Sequence, residues 1–142
     1  MPINVVEIHH PAIRMNSSEA ETLDFYHGLL GLNTDPGRPT IPGVPGFWVN
    51  VGQQAQIHVI GGAQPSTLAK GPGEDPTHPH IALAVDDIVE AKKEIVARGI
   101  KFWSMTGING PQAEQIFIHD PSGNMIELHQ VDQCRCRIEN RS

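Results

Sequence analysis

Two stretches of the chain repeat one order of apolar and polar positions. The first runs from His10 as "HPAIRMNSSEAETLDFYHGLLGLN" and the second from His80 as "HIALAVDDIVEAKKEIVARGIKF". Each opens on a short alternating run with the period of a strand, passes through Asn, Ser or Asp, and continues with apolar residues at helical spacing. In the first, Asn16 to Ser18 offer capping oxygens, and Leu23, Tyr26, Leu29 and Leu30 make the stripe. In the second, Asp86 or Asp87 caps, Ile88, Ala91, Ile95 and Val96 make the stripe, and Gly99 fits the position just past the helix end.

Strands follow each helix: "GFWVNVG" and "AQIHVIGG" in the first unit, "QIFIHD" and "NMIELHQ" in the second, the latter pair joined by the turn "DPSGN". The pattern predicts β-α-β-β-β twice, an α+β chain of two tandem modules in one domain spanning 1–142. Module one covers about 3–62 and module two about 80–130, joined by a Gly/Pro/Ser-rich linker at 63–79 and followed by a tail at 131–142. A second proline-rich stretch, "DPGRPTIPGVPG", predicts a stiff extended loop within module one.

Setting the repeats in register singles out four side chains. His10 and His80 are 70 positions apart and open their units; His58 and Glu127 are 69 apart and sit in the last strand of each. Strand alternation puts His80 with Ala82 and Ala84 on one face, opposite Ile81, Leu83 and Val85. By the same count His10 shares a face with Ala12 and Arg14, Glu127 with Met125 and His129, and His58 opposes Ile57 and Val59. The histidine-bearing, small-residue faces suit a cavity, so all four point inward if the sheet curls. Three imidazoles and a carboxylate make a donor set for Zn, Ni, Fe, Mn or Co, and a divalent cation would relieve the cost of burying Glu127. His9, one residue out of phase, is expected on the opposite face with a structural role. Arg14, on the inward face, is a candidate partner for an anionic substrate group.

Composition removes other classes. With 10 Lys+Arg against 16 Asp+Glu, the net charge of −6 and the absence of basic clusters argue against nucleic acid. The apolar runs are too short for a membrane span and the N-terminus lacks a signal-peptide pattern, so the expectation is a cytoplasmic protein. Both cysteines, Cys134 and Cys136, fall in the tail and read as incidental thiols on a frayed end.

The segments "HPAIRM" and "FYHGLLGL", with "HIALAVDDI" and "FIHDPSGNMIEL", resemble the vicinal oxygen chelate superfamily, also called glyoxalase/bleomycin resistance/dioxygenase, over residues 3 to 130. The resemblance implies a cup-shaped open barrel completed in a homodimer, and a metal held at His10, His58, His80 and Glu127. It further implies a glyoxalase I-like lyase or isomerase with a small-molecule substrate bearing adjacent oxygens and an enediolate-type intermediate, with Glu127 as catalytic base. Glyoxalase I enzymes of this length commonly carry Glu where His58 stands. The alternatives are a non-catalytic small-molecule-binding protein of bleomycin-resistance type or an extradiol dioxygenase, the latter lacking here the tyrosine that Phe117 replaces.

Overall fold

The computed structural model describes residues 1–108 and 114–141; residues 109–113 of the expected second module and Ser142 of the expected tail lie outside the described residues. Seven strands form one mixed sheet: β1 (Val5–Arg14), β2 (Gly46–Val51), β3 (Ala55–Ile60), β4 (His80–Val85), β5 (Trp103–Thr106), β6 (Glu114–His119) and β7 (Met125–Gln130). Their spatial order is β2-β3-β1-β4-β7-β6-β5, an α+β open sheet whose two halves mirror each other about the antiparallel β1–β4 pair. On either side of that pair the neighbour is parallel, β3 beside β1 and β7 beside β4. The first half names one strand fewer than the second. Its counterpart of β5 is reduced to the bridge Thr34↔Val49, flanked by hydrogen bonds from Asp35 N to Trp48 O (2.8 Å) and from Asn50 N to Asn33 O (2.8 Å).

The two helices differ in quality, and the sequence says why. Helix α2 (Ile88–Ala97) is capped by Asp87, whose side chain accepts from Val89 N and Glu90 N. It ends at Gly99, which adopts φ 66° and closes the last turn together with the Ile100 N to Ile95 O bond. Its Ile88, Ala91 and Ile95 pack with Val85, Ile116 and Leu128 into the largest apolar cluster, on the outer face of the sheet. Helix α1 (Glu19–Leu23), capped by Ser18, lasts little more than a turn and continues as a π-helical segment, Asp24–Leu29. Its expected stripe is only half used. Leu23 and Tyr26 pack against Phe47, Val49 and Val59, whereas Leu29 and Leu30 are exposed. No described helix is long and apolar enough to cross a membrane.

The expectation of a frayed tail is corrected. Cys134 and Cys136 are each 1% exposed. The segment is held by Arg135, whose Nη2 and Nε donate to Asp35 Oδ1 (2.7 Å) and Oδ2 (3.2 Å), and by the Ile138 N to Gln53 O bond (2.8 Å). Asn140 Nδ2 closes the tail on itself through Cys134 O (2.8 Å). Polar, Arg-rich composition suggested solvent, but the arginine reaches a buried carboxylate and carries the thiols inward.

Asp35 makes this latch testable. Burial alone would raise its pKa, but Arg135, the Gly37 N–H and the Gln56 amide lower it below the usual 3.8. A carboxyl depressed in the folded state contributes stability above its unfolded pKa and loses it as pH falls through the folded value. Asp35→Asn is expected to cost about 2 kcal/mol near neutral pH, because Arg135 is only partly buried. In urea unfolding the variant should also show a flatter acid limb than the parent.

Candidate metal centre

The strand register builds the site around two alanines. Ala12 lies opposite His58 on β3 and His80 on β4; Ala82 lies opposite Glu127 on β7 and His10 on β1. Each pairing is the image of the other under the repeat, so the backbone sets four donors symmetrically about the β1–β4 pair. The small methyl groups leave room between them.

The side chains break that symmetry. The ligand atoms of His10, His80 and Glu127 all lie within 4.8 Å of one another and are buried. His80 Nδ1 donates to His78 O at 2.7 Å, and its Nε2 stands 3.0 Å from Glu127 Oε1. His10 Nε2 faces the same oxygen at 3.6 Å. Gln115 Nε2 donates to Glu127 Oε2 at 3.2 Å and fixes the carboxylate plane. His58 is drawn elsewhere. Its ring stacks between Trp48 (4.2 Å) and His10 (3.7 Å), and its Nε2–H donates to Gln56 Oε1 at 2.9 Å. Its ligand atom groups with those of His10 and Cys136 rather than with His80 and Glu127.

Electrostatics follow from a carboxylate 1% exposed among imidazoles. Burial would raise the Glu127 pKa, yet the His10 charge and the hydrogen bonds of His10 and His80 hold it well below the carboxylate range. Burial lowers His10, but Glu127 and Cys134 outweigh it and push the imidazole up to about 9. His58 moves the other way, held neutral first by burial and then by the charge of His10. His10 Nε2, His80 Nε2 and Glu127 Oε1 thus bring two imidazole nitrogens and a carboxylate oxygen together out of solvent. The donor chemistry therefore fits a divalent transition metal.

A half-open pocket lies above the three converging donors, with a volume of about 50 Å³, room for a few water-sized groups. Ile41, Val44, Leu68 and Met105 give it apolar walls, and Arg38 stands over the Trp48 ring at 6.0 Å. Neither the role of Arg38 at the pocket nor the reach of the proline-rich loop that carries it was recognised from sequence, nor were Gln56 and Gln115. Gln56 stands two residues before His58, so its inward amide was readable from the strand period. Arg14 does not join the pocket; its guanidinium donates to Gly62 O (2.6 Å), Thr77 O (3.3 Å) and Gly61 O (3.5 Å) and ties down the linker. His9 faces inward instead of outward, because the register shift between Ile8 and His10 is a β-bulge that breaks the alternation.

Three comparisons place this geometry among known proteins. A family model described as the Glyoxalase/Bleomycin resistance protein/Dioxygenase superfamily matches residues 7–128. "Glyoxylase I 4" of Arabidopsis thaliana is 27% identical over 132 residues, covering 92% of this chain and 74% of that protein. Methylmalonyl-CoA epimerase of Mycobacterium tuberculosis is similar in structure, with a TM-score of 0.69 at 22% identity over 92% of this chain and 91% of that one. A hypothetical protein of Bacillus halodurans C-125 gives a TM-score of 0.66 at 25% identity over 87% and 93%.

Because His10 with its pKa near 9 is protonated at neutral pH, an incoming ion must displace that proton. Calorimetry in buffers of different ionisation heat should find about one proton released per ion. The apparent affinity should rise roughly tenfold per pH unit and level off above about 9.

Proposed function

Because the chain belongs to the glyoxalase/bleomycin resistance protein/dioxygenase superfamily, we propose that it is a divalent-metal-dependent lyase or isomerase of the glyoxalase I type. The observation that carries the proposal is the convergence of His10 Nε2, His80 Nε2 and Glu127 Oε1 beneath the pocket. These three would hold the ion, with His58 as the fourth donor from the register position equivalent to Glu127. When bound, a divalent ion (Zn, Ni, Fe, Mn or Co) supplies positive charge for two adjacent substrate oxygens.

The remaining work falls to this chain's own groups. Glu127 is the one carboxylate among the described pocket-lining residues, so it is the base that takes a proton from the carbon next to a substrate carbonyl and returns it. Gln115 keeps Oε2 fixed, leaving Oε1 toward the ligand space. The walls of Ile41, Val44, Leu68 and Met105 exclude water while the charge is displaced. Arg38 at the same pocket offers a cation to an anionic substituent, and the small pocket volume suits a small reacting group.

One carboxylate argues for transfer on one face of the substrate. Inversion, as in the methylmalonyl-CoA epimerases of similar fold, takes a proton from one face and returns it to the other, which calls for a second base. The position equivalent to Glu127 holds His58, whose Nε2–H is engaged by Gln56. The reading includes a homodimer in the cytoplasm, supported by the exposed Val6, Ile8 and Ile81 on the outer face of β1 and β4.

The test is turnover of the hemithioacetal of methylglyoxal and glutathione by protein loaded with each of the five metals. Activity with at least one is expected, and Glu127→Gln should lower kcat by about 100-fold or more. His58→Glu should raise the rate with this substrate by about tenfold or more, by adding a second carboxylate. A stoichiometrically loaded protein that turns over neither this compound nor other α-hydroxycarbonyl substrates would leave the non-catalytic binding protein as the reading.

A further inference from the structure

A second cluster lies near the three converging donors, connected to His10 through Cys136 and Cys134. His9, His129 and Cys134 are all buried, and their ligand atoms lie within 4.8 Å of one another. They come from three elements: the β-bulge of β1, the end of β7 and the latched tail. None of them is a ligand in the site proposed above, although Cys134 acts on the charge of His10.

We propose that His9, His129 and Cys134 form a separate site for a thiophilic d10 cation, Cu+ or Zn2+. The donor set decides the class. Two imidazoles and a thiolate are soft to borderline ligands, which disfavours Mg2+ and Ca2+. Ions with a filled d shell impose no geometry and accept a crowded, three-donor site. Metal–donor bonds of about 2.0–2.3 Å would space the three atoms roughly 3.5–4 Å apart, a modest contraction of the arrangement present.

The surroundings are those of a supported ligand set. His9 Nε2 faces Glu7 Oε1 at 3.3 Å, the carboxylate–imidazole contact that orients a metal-bound ring, and Arg137 faces that same oxygen at 3.6 Å. Neither ring nitrogen of His9 makes a hydrogen bond of ordinary geometry among the described residues, although the residue is 0% exposed. Charge separates the two ions. Cu+ with one thiolate and two neutral imidazoles is neutral overall, as donors this deeply buried favour. Zn2+ on the same three donors keeps one positive charge, which Glu7 Oε1, 3.3 Å from His9 Nε2, offsets. The Cys134 thiolate takes up the ion with no change of oxidation state.

Cys136 also contacts His10 Nδ1 at 3.1 Å and belongs to a rival cluster with His10 and His58. The experiment has to tell the two apart. Full-length, fully reduced protein is titrated anaerobically with Co2+, reading the near-ultraviolet thiolate-to-cobalt charge-transfer band. Wild type should bind two equivalents, one of them giving the band. Glu127→Gln should keep the band and lose the other equivalent, so failure of the first site and of this one are distinguishable. Cys134→Ser and, independently, His129→Gln should lose the band while remaining folded by thermal denaturation; Cys136→Ser should keep it. Stoichiometric Cu+ bleaching the cobalt band identifies Cu+ as the preferred ion, and bleaching by Zn2+ alone identifies Zn2+. Absence of a thiolate band in wild type would overturn the proposal. So would a band that survives Cys134→Ser or depends on Cys136.

Discussion

A carboxylate buried at the centre of a sheet is the constraint on which the rest depends. Glu127, 1% exposed on β7, would be untenable as an anion without compensation at close range. Compensation is supplied in three ways: the raised His10, the opposed Nε2 of His80 and the amide of Gln115. Each of these groups stands on a different strand, so the electrostatic balance of one side chain requires β1, β4, β6 and β7 to keep their register. A slip of one residue in any of them would turn its donor to the opposite face.

The same constraint explains why the duplication shows in the backbone and not in the side chains. Ala12 and Ala82 occupy matching positions and set His58 and Glu127 at equivalent points. A carboxylate draws hydrogen bonds from the imidazoles around it, whereas the imidazole at the equivalent point is kept neutral by burial and by the charge of His10 and lies stacked between Trp48 and His10. The asymmetry of the site is thus a direct result of Glu in one repeat and His in the other. It also leaves one carboxylate among the described pocket-lining residues, on which the proposed one-face transfer rests.

Local rules made the symmetric part readable. The helix caps at Ser18 and Asp87, the Gly99 terminus and the "DPSGN" turn all carry their signal within five residues, and the repeat register selected His10, His58, His80 and Glu127, of which all but His58 group together. What escaped was non-local or rested on a broken period. Alternation placed His9 outward until the bulge shifted it by one, and nothing in the residues around Ile8 announces that bulge. The tail reads as polar and free because its anchor, Asp35, lies 100 positions away in a loop. The missing strand of module one collapsed to a bridge at Thr34, in a stretch followed at once by prolines. Arg38 and the pocket wall of Ile41 and Val44 come from that proline-rich loop, whose stiffness was legible and whose destination was not.

The central claim is that one divalent ion sits where His10, His80 and Glu127 converge. The most direct measurement is an anomalous difference map collected at the metal absorption edge from crystals of the protein grown with Zn2+ or Ni2+. The account predicts a peak within bonding distance, about 2.0–2.2 Å, of His10 Nε2, His80 Nε2 and a Glu127 oxygen. A map with no peak there, or with His80 Nε2 and Glu127 Oε1 still in direct contact at saturating metal, would contradict it.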